Sequence, residues 1–198
     1  MKFLFDLGGV FFDWDPNHFF KDIFDKNEER EYFLSKVCND EWNIQQDGGR
    51  TIKEAEAVLI PKFPQYEKQI KMYYQNHRKM IRGTFNSSIK VLDKLKKQNY
   101  ECYVLSNWSA ETFVGMTDDY PFLQSFNGLL ISGEDKLAKP DAAIYELAIS
   151  RFNLIPQETV FIDDKLENIE AAKKLHLKTI HLIDPNKIEA EIDNFLIS

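Results

Sequence analysis

The chain has 198 residues, of which 43% are hydrophobic and 29% charged, and its formal net charge is −7. This length can bury a full core and leaves room for a small second lobe. An acidic balance argues against non-specific binding to nucleic acid or to anionic membranes. No apolar run reaches the roughly 20 residues that span a bilayer.

The first apolar run is short and is broken by Asp6, so it does not predict a signal peptide. Cys38 and Cys102 provide neither a disulfide framework nor a zinc-binding spacing. A cytoplasmic protein, monomeric or homodimeric, is therefore the expectation.

The N-terminal stretch predicts a buried strand at residues 3–5 that ends abruptly at Asp6. Gly8 and Gly9 follow, and they allow the backbone to turn tightly and to approach a ligand closely. A carboxylate at the end of a buried strand is costly unless it faces a cleft and has partners. In open α/β sheets that edge is where ligands bind, so Asp6 is a candidate nucleophile.

Between Asn17 and Arg82 the strand signals vanish. The hydrophobic periodicity there predicts four helices, at about 17–25, 28–38, 51–60 and 65–81. Thr51 and Glu54 fit a capping box at the start of the third helix. This block predicts a four-helix cap, residues 16–82, that is inserted after the first strand and covers its carboxyl end.

From Asn86 onward, predicted helices alternate with predicted strands. The strands are 100–105, 128–132, 159–162 and 178–183, and the helices begin at Ser87 and include 109–116, 141–151, 167–175 and 185–196. Such alternation implies right-handed crossovers and a parallel sheet. The predicted fold class is therefore α/β, with a Rossmann-like three-layer core of about five parallel strands formed by residues 1–15 and 83–198.

Polar groups follow four of the predicted strands, and the carboxyl ends of parallel strands share one edge of the sheet. They are Asp6, Ser106 with Asn107, Lys139, and Asp163 with Asp164. Carboxylates about 4 Å apart repel by roughly 4 kcal/mol at an effective dielectric constant of 20. The group therefore needs cations, and Lys139 and a divalent metal such as Mg²⁺ are the natural candidates.

These segments resemble the sequence motifs of the haloacid dehalogenase superfamily of aspartate-based hydrolases. The matching motifs, in order, are Phe5-Asp6-Leu7-Gly8-Gly9-Val10, Leu105-Ser106-Asn107, Lys139-Pro140 and Phe161-Ile162-Asp163-Asp164-Lys165-Leu166-Glu167-Asn168. The helical insertion occupies the position of the first cap type of this family. Four motifs in the expected order are far more specific than any one of them alone.

The resemblance implies a Mg²⁺-dependent phosphatase that hydrolyses a small phosphorylated metabolite. Asp6 would attack phosphorus and form an aspartyl phosphate. Ser106 and the main-chain amide of Asn107 would hold phosphate oxygens, and Lys139 would bridge the nucleophile and the phosphoryl group.

The resemblance also implies the metal ligands. Asp6, Asp164 and the main-chain carbonyl of Gly8 would hold Mg²⁺, with Asp163 beside them. No nucleic acid or membrane partner is expected.

One position departs from the family pattern. Most phosphatases of the family carry a second aspartate, the general acid, two positions after the nucleophile, where this chain has Gly8. General acid catalysis contributes roughly 10²–10⁴-fold. We therefore expect a preference for good leaving groups such as an anomeric sugar phosphate, as in the sugar phosphatases with the same Asp-Leu-Gly start. Asp13 and Asp15 lie farther along the chain and are weaker replacements.

Two other functions compete with this one. A 2-haloacid dehalogenase shares the family's fold, but attack of a carboxylate on a neutral carbon needs no metal, so the acidic pair at Asp163 and Asp164 favours phosphate chemistry. A binding or scaffold protein without turnover would not need Asp6. In the cap, Trp42, Gln46 and Arg50 could contact a substrate. Packing is the simpler interpretation for Trp42, and exposure to solvent is the simpler one for Arg50.

Overall fold

A computed structural model describes residues 1–197 of the chain. It contains seven strands in these residues: β1 (Lys2–Phe5), β2 (Phe12–Trp14), β3 (Ile81–Thr84), β4 (Glu101–Ser106), β5 (Gly128–Ile131), β6 (Thr159–Asp163) and β7 (Lys178–His181). Five of them form one sheet in the order β5-β4-β1-β6-β7, and all its neighbouring strands are parallel. The predicted five-stranded parallel sheet is confirmed. Because β1 is central, its carboxyl end lies between those of β4 and β6.

Helices from the second half of the chain pack on both faces of this sheet, and those between β2 and β3 form a separate block. In chain order the helices are α1 (Asn17–Phe20), α2 (Asn27–Tyr32), α3 (Asp40–Asp47), α4 (Ile52–Leu59), α5 (Glu67–Gln75), α6 (Asn86–Lys97), α7 (Ala110–Phe113), α8 (Met116–Asp119), α9 (Ser132–Asp135), α10 (Ala142–Arg151), α11 (Leu166–Lys174) and α12 (Ile188–Ile197). None of these helices, in the part of the chain described, is both long and apolar enough to cross a membrane.

Alternation along β1 explains the two layers of helices. Phe3 and Phe5 point to one face, where they join a core that includes residues of α6 and α12. Leu4 points to the other face and joins a core with residues of α10 and α11. Successive side chains of a strand face opposite sides, so a strand buried on both sides is apolar throughout. The three-layer α/β architecture is therefore confirmed.

Residues 17–80 contain helices and no strand, and they build a third core of their own around Phe20, Phe33 and Tyr73. The chain enters this block through β2 and leaves it through β3, which pair in antiparallel fashion. The two ends of the block are thus neighbours. The division into a core and a cap at 16–82 stays a prediction of domain organisation.

Several predicted helices of this block are wrong in extent. The helix predicted at 17–25 ends at Phe20, and the one predicted at 28–38 becomes a π-helix from Phe33 to Val37. The helix predicted at 65–81 ends at Gln75; a 3-10 turn follows, and then β3. Apolar residues at helical spacing continue through these segments, so periodicity alone did not mark the breaks.

Three elements of this part of the chain were not predicted. Strands β2 and β3 are only three and four residues long, and each carries a charged residue. Helix α3 is rich in Asp, Asn and Gln, which favour turns in isolation, yet Asn39 caps it by accepting a hydrogen bond from the amide of Trp42 at 2.9 Å. The capping box at Thr51 and Glu54 is confirmed.

One predicted helix of the core also needs correction. The segment predicted as one helix at 109–116 contains α7 and the start of α8, separated at Gly115, whose φ of 79° is left-handed. Helix α10 agrees with the prediction at 141–151 to within one residue, because the side chain of Asp141 caps it by accepting from the amide of Ala143.

Candidate active site

The carboxyl end of β1 carries a buried ion triplet. The ammonium of Lys139 lies 3.0 Å from Oδ1 of Asp6 and 2.6 Å from Oδ2 of Asp163. Lys139 is 1% exposed and Asp163 is fully buried. Buried charges of this kind persist only when they are paired and hydrogen-bonded. The topology thus brings together three of the residues that the sequence nominated.

Burial and charge act in opposite directions within this triplet. Burial raises the pKa of Asp6, as does the nearby Asp163 carboxylate, while Lys139 opposes both effects. Burial alone would lower the pKa of Lys139, but the two carboxylates more than compensate and hold it above its ordinary value. Lys139 is therefore a permanent positive charge beside Asp6.

Asp163 and Asp164 are adjacent in sequence but differ in their partners. Both oxygens of Asp163 lie 3.0 Å from the Asn168 amide nitrogen, and Oδ1 also accepts from the amide of Lys165 at 2.8 Å. Within residues 1–197, no ammonium or guanidinium lies within ion-pair distance of Asp164. Burial, together with the charges of Asp6 and Asp163, raises the pKa of Asp164 to about 7. Asp163 is thus anchored by donors, whereas Asp164 makes no ion pair with a described residue, and Lys139 and Lys165 offset its charge only from a distance.

The arrangement fits a divalent metal. One oxygen from each of Asp6, Asp163 and Asp164 lies within 4.8 Å of the others. Gly9 makes this possible: its φ is 69°, and a Cβ there would stand 2.5 Å from the Asp164 carboxyl carbon. An all-oxygen donor set of this charge suits Mg²⁺. The carbonyl of Gly8 as a ligand stays a prediction.

The end of β4 supplies two further predicted residues. The hydroxyl of Ser106 is buried close enough to Asp6 to act against the rise in the pKa of that carboxyl, but it makes no hydrogen bond of good geometry to a described residue. A buried hydroxyl that is poorly hydrogen-bonded is unfavourable unless a ligand satisfies it. The side chain of Asn107 holds the main chain of Lys139 in both directions, donating to its carbonyl at 2.9 Å and accepting from its amide at 2.8 Å. Asn107 therefore positions Lys139, a role that the sequence did not suggest.

Sequence reasoning missed two residues that connect the helical block to this loop. The hydroxyl of Ser132 donates to the main-chain carbonyl of Asp47 at 2.6 Å and accepts from the amide of Trp108 at 2.9 Å. Asp47 ends α3 and lies between the helices predicted at 28–38 and 51–60. The sequence did contain one indication of a role for Asp47: it directly precedes two glycines in the block that was predicted to cover the site.

The residues weighed as possible cap contacts take structural roles. Trp42 is buried in the core of the helical block, as expected. Gln46 is fully buried and donates to Tyr74 Oη at 2.8 Å. Arg50 is half-buried, and its Nε donates to Oε1 of Gln46 at 2.6 Å, so the expected solvent exposure is wrong.

The protein has an α/β fold with helices on both faces of a parallel sheet, and an acidic cluster lies at the carboxyl edge of that sheet. In such folds this edge is where active sites are found. The chain belongs to the haloacid dehalogenase-like hydrolases, since residues 3–176 match that family. It is therefore a hydrolase, as predicted.

Three relatives illustrate this membership. The chain is 25% identical to the sesquiterpene phosphatase astK of Aspergillus oryzae over 91% of this chain and 89% of the relative. It is 26% identical to a family enzyme of Bacteroides thetaiotaomicron solved with magnesium and inorganic phosphate, with a TM-score of 0.67 over 90% of this chain and 92% of that one. A family hydrolase of Porphyromonas gingivalis, 22% identical, shares the fold over 100% of this chain and 98% of that one with a TM-score of 0.73.

Proposed function

We propose that this chain is a Mg²⁺-dependent phosphatase that hydrolyses a small phosphorylated metabolite through an aspartyl phosphate on Asp6. The observation that carries the proposal is the triplet of Asp6, Lys139 and Asp163 beside the carboxylate of Asp164, for which no ion pair is found in residues 1–197. The phosphatase from Aspergillus oryzae and the magnesium and phosphate complex from Bacteroides thetaiotaomicron support it.

Each residue at the sheet edge has a role in this reaction. A carboxylate oxygen of Asp6 attacks phosphorus, and water later hydrolyses the acyl phosphate and frees Asp6. Lys139, held beside Asp6, balances the charge of the phosphoryl oxygens. The Ser106 hydroxyl and the main-chain amide of Asn107 bind those oxygens. Positioning and charge neutralisation of this kind are what phosphoryl transfer chiefly requires.

Asp6, Asp164 and the carbonyl of Gly8 would hold Mg²⁺, which would neutralise charge between the nucleophile and the phosphate dianion. Asp163 contributes through Lys139, because its oxygens already accept from Lys139, Asn168 and the Lys165 amide. Its predicted place beside the metal is kept in this proposal, with anchoring of Lys139 as its main task.

The substrate has two candidate classes. The Asp-Leu-Gly start led us to predict a sugar 1-phosphate. An apolar phosphate ester is the second candidate, because rings of Trp14, His77 and Trp108 follow one another at 5.9 and 5.6 Å next to Asn107. We call these three rings the aromatic seam. One ring nitrogen of each is buried and has no hydrogen-bond partner among the described residues, so a hydrocarbon that carries oxygen atoms would suit it. The sesquiterpene phosphatase relative agrees with it.

Neither a dehalogenase nor a scaffold accounts for the site as well. Attack on a neutral carbon gains nothing from a further carboxylate at Asp164. A protein that only binds would not need the buried pair of Asp6 and Lys139, whose burial is costly.

Trapping of the phosphoenzyme tests the proposal. The protein is mixed with labelled substrates from a panel of hexose 1-phosphates and sesquiterpenyl phosphates with Mg²⁺, quenched in acid, and digested. We expect a hydroxylamine-sensitive phosphate on the peptide with Asp6, which is absent in Asp6→Asn and in excess chelator and present in Asp13→Asn. Turnover that survives in Asp6→Asn would overturn the proposal, as would hydrolysis of a chlorinated acid in chelator. Trp108→Ala should slow the terpenyl ester more than the sugar ester if the seam binds the leaving group.

A further inference from the structure

The active site lacks a proton donor at the position where the family usually has one. Around Gly8 the structure is open: a Cβ built there meets no atom within 4 Å. The leaving oxygen of an alkyl phosphate becomes a strongly basic alkoxide unless an acid protonates it, so an unaided site of this kind would be restricted to good leaving groups.

The acids that follow β1 in sequence do not fill this gap. Asp13 accepts from His18 at 2.9 Å and from Arg82 at 2.7 Å. Although burial acts in the other direction, these hydrogen bonds hold the pKa of Asp13 below its ordinary value. Asp15 accepts from the amide and from the side chain of Asn17, the first residue of α1. Both carboxylates already accept hydrogen bonds from neighbouring side chains or amides, so neither is free to act as the proton donor.

Asp47 approaches the site from the helical block. Its main-chain carbonyl accepts from Ser132, which in turn accepts from the amide of Trp108, the residue after Asn107. Asp47 as a residue is only 9% exposed, and its carboxylate accepts from the side chain of Asn43 at 3.2 Å. The last residue of α3 is thus fixed against the loop that follows β4.

Burial has the largest effect on the Asp47 carboxyl group and disfavours its charged form. The ammonium of Lys165, after β6, and the amide of Ser109, after β4, act on it in the opposite direction. Since β4 and β6 flank β1, a group within range of both lies over the end of β1. Asp6 itself acts on Asp47 and raises its pKa, as does Asp40. Burial is the largest cause, and the pKa of Asp47 is raised to about 7. A carboxyl group in this state is available both as an acid and as a base near neutral pH.

The segment after Asp47 packs closely against the loop that follows α9. Gly49 has a φ of 96°, and a Cβ there would stand 2.6 Å from Cγ of Lys136. Glu111 of α7 accepts from the amide of Ile52 at the start of α4 at 2.7 Å. The segment from Asp47 to Ile52 is therefore seated on the loops of the sheet.

From this placement we propose that Asp47 is the catalytic acid and base of the reaction, supplied by the helical block in place of the missing residue at Gly8. The inference rests on the proposed phosphatase function. In the first step Asp6 bonds to phosphorus, the bond from phosphorus to the leaving oxygen breaks, and the proton of Asp47 passes to that oxygen, giving the free alcohol. In the second step water bonds to phosphorus, its proton returns to Asp47, and the acyl phosphate bond breaks to release phosphate and Asp6.

The leaving-group dependence of Asp47→Asn tests this role. We expect kcat/KM for an alkyl phosphate to fall by about 10²–10⁴-fold, whereas 4-nitrophenyl phosphate, whose leaving group needs no proton, changes by less than about threefold. Asp40→Asn is the matched control, because it removes an exposed acid from the start of the same helix. It should leave both substrates unchanged. Activity of Asp47→Asn on the aryl ester also shows that the variant is folded.

The outcomes separate this inference from the function on which it rests. If Asp47→Asn slows both esters equally, or neither, while the phosphoenzyme still forms on Asp6, Asp47 is not the acid and the phosphatase proposal survives. If no phosphoenzyme forms in the unmodified protein, the function itself fails. A steeper dependence of rate on leaving-group pKa in Asp47→Asn, but not in Asp40→Asn, is the result that supports the role.

Discussion

Removal of the Lys139 ammonium provides a direct measure of the electrostatic balance at the sheet edge. In Lys139→Met a long side chain of similar shape replaces the only cation that contacts Asp6 and Asp163 in the described residues. The two carboxylates have oxygens within 4.8 Å of each other. At that distance, and at an effective dielectric constant of about 20, unit charges repel by about 3.5 kcal/mol.

This value agrees with the loss of about 3–5 kcal/mol that follows when one partner of a buried ion pair is removed. For a chain of this length, about 3.5 kcal/mol corresponds to a decrease in Tm of about 7–14 °C. The control is Lys173→Met, which removes an exposed ion pair with Glu170 at 2.7 Å and should cost less than about 1 kcal/mol.

Urea unfolding followed by circular dichroism, in chelator at pH 7, gives the free energies of unfolding. A second substitution, Asp163→Asn, removes one of the repelling charges, so the double variant should be at least about 1 kcal/mol more stable than Lys139→Met alone. If Lys139→Met unfolds within about 1 kcal/mol of the unmodified protein, or if the two substitutions are additive, the ion triplet does not carry the proposed balance.

Three further predictions concern the metal, the buried histidine and Gly8. Mg²⁺ at about 100 times its Kd should stabilise the protein by about 2.7 kcal/mol, and thermal unfolding of Asp164→Asn should not respond to it; an equal response in both proteins would refute the metal site. Burial lowers the pKa of His77 to about 4 from the ordinary 6.5. The unfolded chain therefore binds the proton first, so stability falls as pH decreases from about 6.5 to 4, by up to about 3 kcal/mol. His77→Phe should reduce this acid sensitivity in unfolding titrations, and His176→Asn, at an exposed histidine, should not. Gly8→Asp, placed where a Cβ meets no neighbour, should restore hydrolysis of alkyl phosphates to Asp47→Asn, and no gain over Asp47→Asn alone would contradict the shared role.

The parallel sheet could be predicted because its signal is local. Each strand is a short apolar run that ends at a polar residue, and the alternation with helices determines the topology. The helical block could not be delimited in the same way. Its π-helix at Phe33–Val37 and the strands β2 and β3 depend on packing between distant segments, which periodicity does not contain.

The site shows the same division. Asp6, Lys139 and Asp163 were nominated because they follow strands of one sheet, and the geometry brings them together. The side-chain bonds of Asn107 to Lys139, and the approach of Asp47 through Ser132, join segments 32 and 85 residues apart. Such contacts arise from the tertiary structure, so no spacing in the sequence announces them.

The pairing of β2 with β3 has a consequence for how this chain could diversify. Because both ends of the helical block meet at one ladder, exchange of the whole block is topologically simple and leaves the strand order of the sheet untouched. If Asp47 supplies the proton, such an exchange would alter both the molecules admitted and the leaving groups tolerated. The choice of substrate and the range of leaving groups would then change together whenever this block is exchanged.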